Sequence, residues 1–117
     1  MSLEETDRAS QAVQKTPNRV SLDHIKSEIG SEYYFTVGEA IAALRLADVQ
    51  PPAHRVMTVC VVTMKNGFIL IGKSAPADPE NFNLELGRKF AYEDAVRQIW
   101  PLEAYLLRSK LSAQGPA

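Results

Sequence analysis

The sequence predicts a small α+β domain with a central antiparallel β-hairpin, and three observations support this fold class. Two apolar runs, residues 58–65 and 68–73, flank the turn dipeptide Asn66-Gly67. Apolar residues at helical spacing follow this hairpin, and shorter helical signals precede it. The chain has 117 residues, a length that fits one domain.

The two ends of the chain lack the pattern of a folded segment. Polar and charged residues dominate residues 1–20, and the few apolar residues cannot form a buried face. We therefore expect a disordered tail over residues 1–20, a single α+β domain over residues 21–112 and a frayed end over residues 113–117.

Two short helices are predicted before the hairpin. Ser21 is placed to cap the first, whose apolar stripe is Leu22, Ile25 and Ile29, and Gly30 is placed to end it.

An extended segment over residues 33–35 then leads to the second helix. Thr36 and Glu39 have the spacing of a capping box, which predicts a helix over residues 37–47. The prolines at residues 51–52 end any continuation.

The hairpin itself is predicted to turn through residues 66–67 as a two-residue type I′ loop, because Asn and Gly tolerate positive φ. That turn would pair Val61 with Gly72 and Cys60 with Lys73. Both faces then have apolar centres, whereas a solvated hairpin is apolar on one face only. We expect helices of the same chain on one face, another strand layer or a second protomer on the other, and hence a homo-oligomer.

Helical signals fill the rest of the chain. Asp78-Pro79 fits an N-cap followed by proline at the first helical position, so a short turn is expected there. Asn83 is placed to start a longer helix, Pro101 should break or kink it, and a final helix should end near Leu111.

Charge and composition exclude several functional classes. The net charge is −1, and acidic and basic residues are balanced along the chain, which argues against non-specific nucleic-acid binding. One cysteine and two histidines exclude a disulfide framework and leave few metal ligands, so no cofactor is expected. There is no apolar run of about 20 residues and no signal-peptide pattern, so we expect a cytoplasmic protein without a membrane partner.

Few residues have the pattern of a reactive site. Cys60 lies among valines and is best interpreted as a buried thiol, although Lys73, its predicted cross-strand neighbour, would lower the thiol pKa. His24 and His54 have no second ligand at metal spacing and are interpreted as surface residues. The carboxylates of the C-terminal half, Asp94 among them, fit a solvated helix face.

The glycines form no phosphate-binding motif. Gly72 is explained by close approach across the sheet, opposite Val61, and Gly87 by tight packing of its helix against the hairpin.

A mixed basic and aromatic surface is the main candidate for ligand binding. It would be formed by Arg88, Lys89, Arg97, Arg108 and Lys110 together with Tyr92, Trp100 and Tyr105. Such surfaces stack and charge-pair nucleotides. The alternative is that the aromatic residues are core or interface anchors with polar tips.

A succession of short motifs runs along the foldable part of the chain and carries a resemblance from about residue 20 to residue 111, which is weakest over residues 37–56. In order they are Ile29-x-Ser31-Glu32-x-Tyr34-Phe35-Thr36, Asn66-Gly67-Phe68, Gly72-x-Ser74-Ala75, Asp78-Pro79-Glu80-Asn81-Phe82, Glu85-Leu86-Gly87-Arg88-Lys89, Ile99-Trp100-Pro101-Leu102-Glu103 and Tyr105-x-Leu107-Arg108. This succession resembles a family of small tailed-phage proteins named after gene product 49 of one phage and gene 66 of another. Two positions depart from the family: Ala104 stands where glycine is common, and Pro76 where a second cysteine is common.

The resemblance implies a phage or prophage protein that acts inside the bacterial cell and has no established enzymatic activity. Several motif residues are polar without an evident structural need. Together with two residues that could serve a nucleotide, they form the predicted ligand-binding set: Lys73, Ser74, Asn81, Arg88, Lys89, Tyr105 and Arg108.

Three functions are then predicted, in this order. The first is a non-enzymatic accessory protein that binds a host component, for host takeover or against host defence. The second is a sponge that sequesters a nucleotide-like small molecule at a protomer interface through Lys73, Ser74, Arg88 and Tyr105. The third, a small hydrolase-like enzyme acting through Cys60 or a carboxylate, is the least favoured, because the sequence shows no nucleophile–base pattern.

Overall fold

A three-stranded antiparallel sheet and a long helix across one of its faces form the two layers of the computed structural model, which describes residues 1–115. The α+β fold class is confirmed. The elements are α1 (Leu3–Ala12), α2 (Leu22–Ser27), β1 (Ile29–Thr36), α3 (Val37–Ala43), α4 (Pro52–Val56), β2 (Thr58–Met64), β3 (Ile69–Ser74), a 3₁₀ turn (Pro79–Asn81) and α5 (Leu84–Ala113). β2 is the central strand.

Residues 1–20, for which the sequence predicts disorder, instead contain α1. Leu3 is buried in the core. The Asp7 carboxylate accepts hydrogen bonds from the Arg19 guanidinium at 2.7 Å and from the backbone N–H of Leu22 at 3.0 Å. One buried leucine and one carboxylate therefore attach a polar segment that has no apolar face of its own.

The predicted caps of the helices are present. The Ser21 hydroxyl accepts a hydrogen bond from the backbone of α2, and Thr36 and Glu39 form the reciprocal capping box of α3. α2 is shorter than predicted, because Ile29 belongs to β1. α3 ends at Ala43, four residues before the predicted end.

The turn of the hairpin differs from the predicted type I′ turn. The Gly67 N–H donates to Met64 O at 2.9 Å, and the Met64 N–H donates to Phe68 O at 2.8 Å. Gly67 has a φ of +90°, whereas Asn66 keeps a negative φ. Residues 65–67 therefore form a three-residue loop with a glycine bulge, since a type I′ turn needs positive φ at both central residues.

The longer loop moves the pairing of β2 and β3 by one residue. Cys60 lies opposite Gly72, and Val59 lies opposite Lys73, so the predicted pairs of Cys60 with Lys73 and of Val61 with Gly72 are wrong. A shift of one residue exchanges the two faces of a strand. It places Leu70, rather than Ile71, on the same face as Cys60.

The covered face of the sheet contains the hydrophobic core. Its buried strand residues are Cys60, Val62, Met64, Leu70 and Gly72, and α5 packs on them through Ala91, Ala95, Val96 and Ile99. Trp100 extends this packing to the N-terminal segment, because its indole N–H donates to Val20 O at 3.0 Å.

Gly72 marks the closest approach of α5 to the sheet. A Cβ at this position would lie 2.0 Å from Ala91 O and 2.6 Å from Ala95 N. Gly72 is therefore needed for contact with the helix, not for the predicted approach across the sheet. Gly87 packs α5 against the hairpin as predicted, since a Cβ there would lie 2.6 Å from Thr58 Oγ1.

α5 is one continuous helix of 30 residues that includes Pro101, so the predicted break of the helix does not occur. Proline removes the hydrogen bond to the carbonyl of Arg97. Both residues lie on the exposed side of the helix. α5 ends at Ala113, and the predicted frayed end over residues 113–117 lies partly outside the described residues.

Candidate functional site

The face of the sheet opposite α5 is apolar and largely uncovered. We call it the open face; it is formed by Tyr33, Phe35, Val59, Val61, Ile69 and Ile71. Tyr33, Val61 and Ile71 form one row across the three strands. Tyr33 is 66% exposed and Ile71 is 55% exposed, so large apolar side chains are open at both ends of this row.

The molecule is elongated, with extents of 62 × 28 × 17 Å, and has a large accessible surface for its mass. The chain has an accessible surface of 8175 Å², whereas a compact monomer of 12.9 kDa has about 6,300 Å². The radius of gyration is 17.8 Å, against about 13 Å for a compact chain of this length. The protein therefore exposes roughly 1,900 Å² more than its mass requires.

The edge of the sheet at β3 is closed by side chains of α5. The Lys73 N–H donates to Asp94 Oδ2 at 2.9 Å, and Gln98 Nε2 donates to Ile71 O at 2.8 Å. Asp94 and Gln98 are one helical turn apart and therefore reach successive outward-facing groups of the strand. A further strand cannot add here without displacing both side chains.

Of the seven predicted site residues, Ser74 and Asn81 are brought together. They line a cavity of about 170 Å³ with Phe82, Gly87 and Phe90. Two aromatic rings border this space together with the polar side chains of Ser74, Asn81 and Asn83, of which Asn83 caps α5.

The predicted basic residues at this end of the molecule do not line this cavity. The Arg88 guanidinium carbon is 5.8 Å from the centre of the Tyr34 ring, which is cation–π distance. Lys73 and Lys89 are exposed, Lys73 on the open-face side of β3 and Lys89 on α5.

The predicted residues of the distal half of α5 border different depressions. Tyr105 lines an apolar groove of about 240 Å³ with Met64 and Phe68 of the hairpin. Arg108 borders a shallow depression beside Trp100. Arg88 and Tyr105 are seventeen residues apart on one helix, or about 25 Å, so one chain does not bring them to a common small ligand.

Cys60 is fully buried in the centre of β2. Burial raises the pKa of its thiol, and the nearby Glu32 carboxylate adds to that rise against the effect of the hydrogen bond with Tyr34. The predicted lowering of the thiol pKa by Lys73 is wrong, because Lys73 lies opposite Val59. A nucleophilic cysteine needs an accessible thiolate, whereas the Cys60 thiol is buried and protonated.

The histidines have ordinary partners. His24 Nε2 lies 3.1 Å from Glu103 Oε2, and His54 Nδ1 lies 3.0 Å from Gln50 Oε1. Over residues 1–115, no cluster of three or more His, Cys, Asp or Glu side chains forms a metal site. None of the helices in this part of the chain is both long and apolar enough to cross a membrane.

Sequence reasoning predicted that both faces of the hairpin have apolar centres, but it missed which residues form the open face, and it missed the closed edge. The alternation of apolar residues in the hairpin indicated two apolar faces, but the register error assigned Ile71 to the wrong one. Asp94 and Gln98 have helical spacing, yet nothing in the sequence shows that this side of the helix meets a strand edge.

Comparison with protein families gives one match. The model of a family described as phage protein (N4 Gp49/phage Sf6 gene 66) matches residues 20–111, from just before α2 to near the end of α5. No curated protein and no solved structure matches the chain.

Proposed function

The chain belongs to the phage protein (N4 Gp49/phage Sf6 gene 66) family, and we propose that it is a non-enzymatic accessory protein that binds a host protein in the cytoplasm of the infected bacterium. The observation that carries this proposal is the open face. Binding, rather than catalysis, is the function that an extended apolar surface supports best.

The chemistry of the open face favours a protein as the partner. Tyr33 on β1 and Ile69 and Ile71 on β3 are more than half exposed, and Val61 of the central strand lies between Tyr33 and Ile71 on the same face. Lys73 is the charged side chain in these rows, so the face offers little attraction for phosphate. Small-molecule sites are concave, whereas aromatic and aliphatic side chains on a sheet suit the apolar centre of a protein interface.

Photo-crosslinking in infected cells tests which face meets the partner. A crosslinking amino acid at position 71 lies on the open face, and one at position 86 lies in the α5 layer, where Leu86 is comparably exposed. We expect position 71 to capture one discrete host protein that position 86 does not. Equal capture at both positions, or none at position 71, would contradict the proposal.

Affinity measured with the captured protein gives a second test. Ile71→Lys places an unpaired ammonium group at the centre of the proposed interface, so we expect the dissociation constant to rise at least tenfold. Leu86→Lys is the matched control and should change the dissociation constant by less than about twofold. If both variants weaken binding equally, the open face is not the docking surface.

A sponge for a nucleotide-like molecule is the second candidate, and the cavity at Ser74 and Asn81 supports it. Phe82 and Phe90 offer rings for stacking, and the two polar side chains offer hydrogen bonds to a base. A mixture of nucleotides should then raise the melting temperature of the wild type and of Lys89→Ala, but not of Asn81→Ala. An unchanged wild-type melting temperature would contradict the sponge.

A further inference from the structure

The register of the sheet shows which backbone groups of β1 point outward. In an antiparallel ladder, residues alternate between those whose N–H and C=O face the neighbouring strand and those whose groups face away. The Val37 N–H donates to Met57 O at 2.9 Å, which fixes this alternation for β1. Counting back by two, residues 35 and 33 also face β2, so Glu32 and Tyr34 direct their N–H and C=O groups away from the sheet.

Thr36 supports this assignment. It has the same parity as Glu32 and Tyr34, and its N–H donates to the Glu39 side chain at 3.2 Å instead of to β2. For Glu32 and Tyr34, in contrast, the part of the chain described here supplies no hydrogen-bond partner to the outward backbone groups. A strand edge with free groups pairs readily with another strand.

β1 has few of the devices that usually protect an edge strand: its one charged side chain is Glu32, which lies on the face that α5 covers. Its sequence, from Ile29 to Thr36, contains no proline, lysine or arginine, and its irregularity is confined to the end near Gly30. The straight part of the strand, residues 31–35, therefore remains available.

The strand is also complementary to itself. If two copies of β1 meet antiparallel about a twofold axis at Tyr33, Glu32 of each copy faces Tyr34 of the other. Two pairs of backbone hydrogen bonds then form with the free groups. The two Tyr33 side chains become a close cross-strand aromatic pair on the open face. An axis at Glu32 would oppose two carboxylates and is disfavoured.

We propose that β1 pairs with β1 of a second copy of this chain, so that two protomers share one continuous six-stranded sheet. The free backbone groups and the twofold complementarity at Tyr33 identify the partner as the chain itself. The proposal concerns assembly and does not depend on which host component is bound.

The mass of the full chain in solution, measured by analytical ultracentrifugation, tests this arrangement. The wild type should be a dimer or a multiple of it. Tyr33→Lys brings two ammonium groups together at the axis and should raise the dimer dissociation constant at least tenfold. Ile71→Lys is the matched control, because Ile71 lies in the same open-face row but on the opposite edge strand. It should leave the dimer intact.

Three results would overturn the proposal: a monomeric wild type at high concentration, a dimer that survives Tyr33→Lys in a folded protein, or equal dissociation by both variants. The last would show that the copies meet through the open face. Should Tyr33→Lys fail to fold, amide hydrogen exchange of the wild type decides. The Glu32 and Tyr34 amides should exchange at least tenfold faster on dilution, while the Tyr33 amide, bonded to β2, stays protected. Equal exchange at all concentrations would also overturn the proposal.

Discussion

The two edges of the sheet end in opposite ways. At β3, Asp94 and Gln98 of α5 occupy the outward N–H of Lys73 and the outward C=O of Ile71. At β1, the corresponding groups of Glu32 and Tyr34 have no such partners within residues 1–115. The β3 edge is therefore blocked to a further strand, whereas the β1 edge has free backbone groups that can pair with one. The position of α5 beside β3 causes this difference.

The closed edge depends on how near α5 lies to β3. Gly72 has no side chain to hold the helix away, and Ala91 and Ala95 are small enough to rest on it. Side chains as short as those of Asp94 and Gln98 reach backbone groups of β3 only because of this approach. The small size of Gly72, Ala91 and Ala95 in the interior thus determines that the β3 edge of the sheet is closed.

Gly72→Ala is expected to have the largest effect on the difference between the closed β3 edge and the free β1 edge. The new Cβ would lie 2.0 Å from Ala91 O, so α5 must move off the sheet. We expect the free energy of unfolding to fall by about 3 kcal/mol or more, because backbone of the helix rather than a mobile side chain is in the way. Urea unfolding followed by circular dichroism measures the loss.

Gly67→Ala is the matched control, since it adds the same methyl group in open space. A Cβ at Gly67 has no atom within 4 Å, and the cost is limited to its φ of +90°, about 1–2 kcal/mol. If the two substitutions cost the same, the contact of α5 with Gly72 does not limit stability.

A milder change opens the β3 edge and leaves the helix in place. The double variant Asp94→Ala with Gln98→Ala removes the two side-chain hydrogen bonds and frees the groups of Ile71 and Lys73. We expect a stability loss of about 1–2 kcal/mol. With both edges free, we also expect growth into larger, concentration-dependent assemblies. Light scattering detects such growth.

The pair Glu85→Ala with Lys89→Ala provides the control for that experiment. These residues have the same helical spacing on α5, and neither side chain forms a hydrogen bond to the sheet in the described part of the chain. The control should stay at the size of the wild type. Larger assemblies in the control, or none in the edge variant, would show that Asp94 and Gln98 do not protect the edge.

The sequence predicted what depends on a few neighbouring residues. Each helix cap depends on hydrogen bonds within three or four consecutive residues. The predicted caps at Ser21, Thr36, Asp78 and Asn83 are all present. The position of the hairpin was equally local. Its register was not, because the dipeptide at residues 66–67 suits two loops that differ by one residue, and the observed loop is the one that places Leu70 and Gly72 against α5.

The candidate site could be predicted less well, for a physical reason. Ser74 and Asn81 meet because a short turn returns the chain to the same place. Arg88 and Tyr105 do not meet, because a continuous helix separates its residues by about 1.5 Å each. The closed edge could not be predicted from Asp94 in the sequence. The Lys73 N–H becomes the partner of its carboxylate only because α5 crosses beside β3.

The smallest expected effect comes from a contact that touches neither edge. Burial raises the pKa of Asp7, but the hydrogen bonds from Arg19 and from the Leu22 N–H, with the charges of Arg19 and Lys26, outweigh burial and lower that pKa below 3.8. A carboxyl with a lowered folded-state pKa stabilises the fold above its unfolded pKa, and this contribution is lost as the pH falls through the folded value.

Asp7→Asn should therefore lower the free energy of unfolding by about 1 kcal/mol near neutral pH, and the difference from the wild type should shrink below about pH 4. Urea unfolding at about pH 7 and about pH 2.5 gives the two values. Since α1 packs against α2, the mass of the assembly should not change. A variant that altered the assembly as strongly as Tyr33→Lys would mean that α1, not the free backbone of β1, controls how two copies meet.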